Sequence, residues 1–266
     1  MKPFLRWAGS KRKLLPKLTA FWKSDYKRYV EPFMGSACFF FSVRPTRALL
    51  GDLNKELVAT YAEIRDNPMS VWDCVSSLRQ SKKSYCQLRK VHPSNLDAAA
   101  AAARFLFLNR FCFNGLYRTN LRGEFNVPYA PSGTGSLPSK DELLEYARQL
   151  QKTTLVAGDF EETLGKVRQG DFVYLDPPFA VRTRRIFREY GASVFKQDDL
   201  ERLTKCLQRL DRIGVDFVVS YADCREAREL FGGWRVQRVA VQRNIAGFVG
   251  ARRCAYELVI SNRTAN

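Results

Sequence analysis

The chain predicts a doubly wound α/β sheet. Short apolar segments rich in β-branched and aromatic residues alternate with segments of helical period, the pattern of a mainly parallel sheet covered by helices. Four of those segments end on a carboxylate, at Glu31, Asp52, Asp159 and Asp176. In an open α/β sheet the carboxyl ends of the strands face the ligand crevice, so four acids on one edge predict one site.

Arg28-Tyr29-Val30-Glu31 reads as the first strand, ended by Pro32. Phe33-Met34-Gly35-Ser36-Ala37 is a small-residue turn into a helix, and Gly35 lets the backbone approach a ligand closely. Ala48–Asp52 is the second strand. Asp52 follows Gly35 by about the interval at which an acid binds ribose hydroxyls in nucleotide-binding folds. Residues 154–159 are the third strand, 172–175 the fourth and 217–221 the fifth. Helical period runs through 198–213, and 235–241 with 256–261 predict a terminal hairpin. The stretch between the second and third strands is too long for a simple crossover. Its alanine tract at 98–103 leads into Phe105-Leu106-Phe107-Leu108, a run of strong helix formers. An inserted, mainly helical domain over 55–153 follows, dividing a catalytic domain into 1–54 and 154–266. Within the insertion, residues 109–129 are polar and contain glycine, as a loop or hairpin requires.

Composition narrows the chemistry. The 266 residues are 45% hydrophobic and 13% aromatic, which marks a folded chain and excludes a disordered one. No apolar stretch is long enough to span a bilayer. Trp7, Gly9 and charges stand where a secretion signal needs an apolar core, so the expectation is an intracellular protein. The 7 cysteines are scattered and never form Cys-x-x-Cys, which predicts reduced thiols and no zinc site. His92 is the 1 histidine and precedes Pro93 in a polar loop, so neither a histidine base nor a bound metal is expected. The net charge of +17 implies a polyanionic partner, with nucleic acid first in line. Basic clusters fall at Lys11, Arg12, Lys13 and Lys17, at Arg182, Arg184, Arg185 and Arg188, and at Arg252 and Arg253. Gly9-Ser10-Lys11 lacks the preceding glycine and strand of a triphosphate loop. A nucleoside cofactor without a phosphate tail fits better, and S-adenosylmethionine is one.

The fourth strand runs into Asp176-Pro177-Pro178-Phe179. Prolines cannot continue a central strand, so the chain leaves the sheet there. Asp176 and the Pro177 carbonyl can each accept one hydrogen of a planar amine such as N6 of adenine, while Phe179 stacks on the ring. In the insertion, Arg110, Arg118 and Arg122 interleave with Phe111, Phe113, Tyr117 and Asn114. Arginine and asparagine read guanine and adenine edges, and aromatic rings wedge into a base stack. By composition alone a solvated basic hairpin fits this segment equally well.

Together these motifs resemble the Dam-type, α-group DNA adenine-N6 methyltransferases over nearly the whole chain. Residues 4–11 are similar to that family's cofactor motif, and 31–37 to its first methyltransferase motif, with Ala37 where glycine is common. Asp52-Leu53-Asn54 resembles the ribose-binding segment and Gly158-Asp159-Phe160 the segment that holds the cofactor's adenine. Residues 176–179 match the catalytic tetrapeptide, with Phe179 where tyrosine is frequent, which excludes a phenolic proton relay. The most specific block, 108–128, is similar to the target-recognition hairpin of enzymes that modify GATC.

The resemblance implies a Rossmann-like doubly wound methyltransferase sheet with an inserted helical target-recognition domain bearing a β-hairpin. It implies S-adenosylmethionine, surrounded by Trp7, Lys11, Glu31, Phe33, Gly35, Asp52, Asp159, Phe160 and Asp176. The catalytic residues implied are Asp176, Pro177, Pro178 and Phe179, acting on N6 of an adenine flipped out of duplex DNA. Arg6, Phe113, Asn114, Leu116, Arg118, Asn126 and Pro128 form the implied DNA-recognition set. Arg118 is expected at the guanine paired with the last cytosine and Arg6 at the first guanine. Leu116 and Pro128 are expected at a thymine methyl, with Phe113 and Asn114 in the space left by the flipped base. A monomer free of metal, with the nucleoid in the cytoplasm of a bacterium or a phage host, completes the expectation. Three alternatives stand beside it. An RNA adenine methyltransferase more typically starts the tetrapeptide with asparagine, and a cytosine-N4 enzyme commonly with serine. An inactive nucleic-acid-binding regulator would have no use for an acid at each strand end.

Overall fold

Parallel strands β1 (Arg28–Glu31), β2 (Ala48–Asp52), β3 (Thr153–Ala157), β4 (Asp171–Leu175) and β5 (Asp216–Ala222) form most of one sheet. β6 (Arg235–Asn244) and β7 (Arg252–Ser261) pair antiparallel with each other, and β7 pairs antiparallel with β5. The order is β3-β2-β1-β4-β5-β7-β6. Growth of the sheet reverses between β1 and β4, the switch point at which open α/β sheets bind ligands. This computed structural model describes residues 1–7, 9, 11–120, 122–130, 135–179, 195–244 and 252–265. The predicted basic cluster of Arg182, Arg184, Arg185 and Arg188 lies outside the described residues, as do Ala8, Ser10 and Leu121 of the motifs, and the side chains of Arg252 and Arg253.

The helices are α1 (Leu15–Thr19), α2 (Cys38–Val43), α3 (Lys55–Asp66), α4 (Pro68–Ser76), α5 (Lys82–Lys90), α6 (Ala98–Phe111), α7 (Lys140–Leu150), α8 (Phe160–Leu164), α9 (Gln197–Arg212) and α10 (Arg225–Phe231). Their starts follow from local chemistry. Asn54 accepts from the Leu57 N–H and Asp97 from the Ala100 N–H, while Ser139 and Glu142 close a capping box. Helix α9 places Leu200, Leu203, Leu207 and Leu210 on one buried face, the spacing that its sequence predicts. Among the described residues no helix is long and apolar enough to cross a membrane.

Side chains of a strand alternate between faces, and β4 divides the molecule accordingly. Phe172 and Tyr174 join an aromatic core with Phe4, Tyr29, Phe39 and Phe41, while Val173 and Leu175 join an aliphatic core under α8, α9 and α10. The inserted helices are not packed apart from the sheet. Tyr61, Ile64, Val71, Leu106, Leu143 and Tyr146, from α3, α4, α6 and α7, belong to the same core as Tyr29 and Phe172. A smaller core of Tyr85, Phe107, Leu108, Phe111, Cys112, Phe125 and Val127 underlies the segment that follows α6.

Two boundaries differ from the sequence reading. The terminal hairpin is longer than 235–241 and 256–261, its ladder reaching the Asn244–Arg252 pair. Backbone pairing needs no apolar side chain, so it continues where the apolar alternation stops. The third strand ends at Ala157, and Asp159 instead caps α8 by accepting the Glu161 N–H.

Phe172 is nearly inaccessible and its ring meets those of Trp22, Tyr26, Tyr29 and Phe39 at centroid distances of 5.5, 5.0, 6.2 and 6.3 Å. Phe172→Ala is expected to lower unfolding free energy by roughly 3–5 kcal/mol through the cavity it leaves. Val236→Ala on the exposed edge strand should change it by no more than about 0.5 kcal/mol. Urea unfolding of the two variants measures both; equal effects would contradict this account of the core.

Candidate active site

The carboxyl ends of β1, β2 and β4 bring three acids to the switch-point crevice. Glu31 closes β1 and is 2% exposed. The Tyr29 hydroxyl, two residues back and therefore on the same face, donates to Glu31 Oε2 at 2.8 Å. Burial holds the Glu31 carboxyl well above the usual carboxylate range, and the charges of Asp176 and Asp52 push it further. Asp52 closes β2. Its two oxygens accept the backbone N–H of Gly35 at 3.0 Å and of Asn54 at 2.9 Å. Burial raises the Asp52 carboxyl, and those hydrogen bonds draw it back.

The turn after β1 is held tightly against the N-terminal segment. Gly35 has φ +43°, and a Cβ added there would stand 2.7 Å from Trp7 Cδ1, so the indole packs directly on this backbone. Trp7 also stacks with Tyr117 at 5.9 Å and Phe105 at 6.5 Å. The Tyr61 hydroxyl on α3 donates to the Gly35 carbonyl at 3.2 Å. Ala37 sits at φ +47° as the N-cap of α2. A Cβ costs about 1–2 kcal/mol in that region, which explains the physical advantage of glycine here.

Asp176 follows β4 and is 21% exposed. Lys11 Nζ lies 2.9 Å from Oδ1, and the Ser220 hydroxyl on β5 donates to the same oxygen at 3.1 Å. Ser220 in turn shares a hydrogen bond of 3.0 Å with the Tyr174 hydroxyl. Burial raises the Asp176 carboxyl; the Lys11 charge and hydrogen bond lower it, the Glu257 charge raises it and Ser220 lowers it. Lys11, predicted among the cofactor residues, thus has its ammonium on the catalytic candidate. That ammonium also lies 5.3 Å from the centroid of the Phe179 ring, which meets Tyr221 edge-on at 5.4 Å. Pro177 is buried and Pro178 exposed. Both of these donors fall on Oδ1, which fixes the orientation of the carboxylate.

A second wall is aromatic. Phe33 and Phe160 lie 5.4 Å apart, and Phe195 completes the group at 6.0 and 6.2 Å. The Arg202 guanidinium covers Phe160 at 4.8 Å and pairs with Asp159 at 2.8 Å. Asp159 therefore spends its carboxylate on a helix cap and an arginine at the rim. These residues offer a cofactor a glycine-lined backbone, a doubly anchored carboxylate and two rings. Among the described residues no group of three or more His, Cys, Asp or Glu side chains could hold a metal.

The predicted hairpin forms an irregular one, bridged at Cys112–Tyr129 and Thr119–Phe125. Arg6 is tied from the other end of the sequence to the last turn of α6, which leads into it. Its N–H donates to Asn109 Oδ1 at 2.9 Å, Asn109 Nδ2 donates to its carbonyl at 2.7 Å, and its guanidinium donates to the Arg110 carbonyl at 3.3 Å. Gly115, at φ +64°, has room for no Cβ, which would stand 2.4 Å from Arg6 Cβ. Phe113 and Asn114 are exposed, Asn114 at φ +54°, and the Phe113 N–H donates to the exposed Pro128. Leu116 is half-buried. Arg118 Nε donates to Asn126 Oδ1 at 2.8 Å, so Asn126 holds this half-buried side chain.

Sequence reading missed Ser220, Glu257, Tyr29, Asn109 and Arg202. Ser220 carried a usable signal, a hydroxyl inside the apolar fifth strand, and Glu257 another, a carboxylate inside the apolar alternation of β7. Nothing in the sequence indicates that either reaches Asp176 or Lys11.

A family model described as D12 class N6 adenine-specific DNA methyltransferase matches residues 7–245. The chain is 30% identical over 271 residues to "Type II methyltransferase M1.LlaDCHI" of Lactococcus lactis subsp. cremoris, covering 98% of this chain and 95% of that one. It is 28% identical over 273 residues to the "DNA adenine methylase" of Escherichia coli strain K12, covering 97% and 94%. It is also 28% identical over 265 residues to a "DNA N-6-adenine-methyltransferase" of Escherichia phage P1, covering 97% of this chain and 35% of that longer one.

The buried Glu31 makes a pH test available. A carboxyl whose folded-state pKa lies above its unfolded value stabilises the fold in its protonated form, and that contribution disappears as pH rises through the folded value. The stability of the native chain relative to Glu31→Gln should therefore fall as pH rises above the ordinary value of 4.5. Urea unfolding across a pH series reads the difference; a flat line would mean that Glu31 ionises as freely in the fold as in water.

Proposed function

The chain belongs to the D12 class N6 adenine-specific DNA methyltransferases, and within that class we propose that it methylates N6 of a flipped-out adenine in duplex GATC. The observation that carries this reading is Asp176 at the switch point, gripped on Oδ1 by Lys11 and Ser220 and followed by Pro177 and Phe179. The methyl donor proposed is S-adenosylmethionine, which supplies an electrophilic sulfonium methyl when bound. Gly35 offers close backbone approach, Asp52 suits the ribose hydroxyls, and Phe33 and Phe160 suit its adenine or apolar parts. Trp7 shapes that pocket from behind Gly35, and Glu31 lines its floor. Asp159, engaged with Arg202, borders the adenine end.

The chain's own work is acceptance and positioning. The N6 lone pair of adenine is conjugated with the ring and is a poor nucleophile. Asp176 and the Pro177 carbonyl each accept one N6 hydrogen, which favours a tetrahedral nitrogen and turns its lone pair out of the ring plane. The Lys11 charge opposes the effect of burial on Asp176 and favours its ionised form, which accepts rather than donates. Nitrogen loses one proton after it gains the methyl group, and a weak base suffices for that. Pro178 stiffens the turn, and Phe179 stacks on the flipped base. Flipping is required because the amine is inaccessible inside the duplex.

Residues 55–153 serve as the recognition domain, inserted into the catalytic parts 1–54 and 154–266. Arg118 donates twice to guanine O6 and N7 while Asn126 holds it. Leu116 and Pro128 contact a thymine methyl, Phe113 and Asn114 fill the vacated stack, and Arg6 reads the first guanine. Recognition and catalysis on one chain support action as a monomer. The bacterial and phage relatives support a cytoplasmic enzyme acting at the nucleoid.

Asp176→Ala is expected to abolish methyl transfer and leave duplex affinity nearly intact, since phosphates supply most of that affinity. Labelled methyl transfer and equilibrium binding measure the two; substantial turnover would remove Asp176 from the mechanism. Arg118→Ala should cost roughly 1–3 kcal/mol of discrimination at one base pair and relax the choice there alone. Single-molecule mapping of methyladenine on genomic DNA reads that choice for the native enzyme and the variant. A motif other than GATC, or an unchanged motif in the variant, would refute the assignment of the hairpin.

A further inference from the structure

Lys11 stands between two carboxylates that come from distant parts of the sheet. Asp176 Oδ1 is 2.9 Å from its ammonium and Glu257 Oε2 is 3.5 Å away. Glu257 lies on β7, paired with Ala222 of β5 and Val239 of β6, and is 4% exposed. Lys11 is 5% exposed. A buried carboxylate is retained only where a charge answers it, and here the same cation answers the acid that the proposed reaction uses.

We propose that Glu257 is a positioning residue that shares the Lys11 ammonium with Asp176, so that Asp176 is held by that ammonium without giving up its strength as an acceptor. The inference rests on Asp176 being the acceptor for the substrate amine. A carboxylate closed into a one-to-one pair with a buried ammonium loses much of its basicity, and with it the hydrogen bond it can offer to N6. A second carboxylate on the far side of Lys11 withdraws part of that attraction. It also fixes where the ammonium points, as outer partners orient the inner residues of metal sites. The Glu31 carboxyl of β1 faces Asp176, with the Asp52 carboxyl of β2 beyond it, Tyr174 from β4 adds a hydroxyl, and Ser220 and Tyr221 flank from β5. Glu257, like Asp176, is in contact with Lys11.

Glu257→Gln keeps shape and removes the charge. It should lower the single-turnover rate on a saturating GATC duplex by about tenfold to a hundredfold, with KM for DNA and affinity for S-adenosylmethionine unchanged. Glu257 raises the Asp176 carboxyl. Its removal leaves Asp176 ionised to lower pH, so the acid limb of the rate profile should move down the pH scale even as the plateau falls. Loss of rate with a fixed acid limb is the signature of a merely structural role and would overturn the proposal. Glu257→Asp retains the charge and should restore the acid limb and part of the rate; Glu257→Gln and Glu257→Asp with identical profiles would also overturn it. Thermal unfolding of each variant identifies loss of folding, in which case the Glu257→Asp profile decides. Asp176→Ala, which removes the acceptor, is run in parallel. If that variant is active, the underlying reading has failed; if it is inactive while Glu257→Gln matches the native enzyme, only the role of Glu257 has failed.

Discussion

The fold takes a carboxylate out of water at the end of a central strand, and much of the site follows from what that requires. Asp176 projects from β4 where the order of strands reverses, beside Glu31 on β1. Two buried acids side by side repel, and burial alone favours their neutral forms. The structure answers with a cation for one and a hydroxyl for the other. Lys11 reaches Asp176 from the N-terminal segment, and Tyr29 reaches Glu31 from its own strand. Burial raises both carboxyls; the Lys11 charge opposes that rise at Asp176, whereas at Glu31 the opposing group is the neutral Tyr29 hydroxyl.

The N-terminal segment is the physical link between the crevice and the hairpin. Within six positions it supplies Arg6 to the end of α6 and to Gly115 beyond it, Trp7 to the turn at Gly35 and Lys11 to Asp176. The inserted helices share the aromatic core of the sheet. Tyr117, on the hairpin, stacks on Trp7 and donates to Glu56 of α3. Side chains in a close-packed interior cannot shift independently. The hairpin and the backbone at Gly35 are thus joined through the Tyr117 and Trp7 rings.

Much of this was legible along the chain because it depends on local periodicity or on a short motif. Apolar runs marked all five parallel strands, since burial on both faces leaves few polar positions within them, Ser220 of β5 and the exposed Thr154 of the edge strand β3 among the exceptions. The four-leucine face of α9 marked its helix, and the two prolines marked where β4 leaves the sheet. The acids at Glu31, Asp52 and Asp176 were visible as the residues that end those runs. The reading erred where backbone hydrogen bonding, not side-chain pattern, determines the structure. The hairpin ladder continues to Asn244 and Arg252 past its apolar stretch, and Asp159 caps a helix instead of ending a strand.

What the sequence by itself determined was therefore the family, the order of strands along the chain and the acids at the crevice, because each is written in neighbouring residues. The tertiary structure decided who meets whom. Lys11 was expected among cofactor contacts and lies on Asp176; Ser220 and Glu257 were unremarked within strands and became its partners; Arg6 was anchored by Asn109. Such pairings join residues far apart in the chain. They are set by strand order and core packing, for which no local pattern of side chains carries a record.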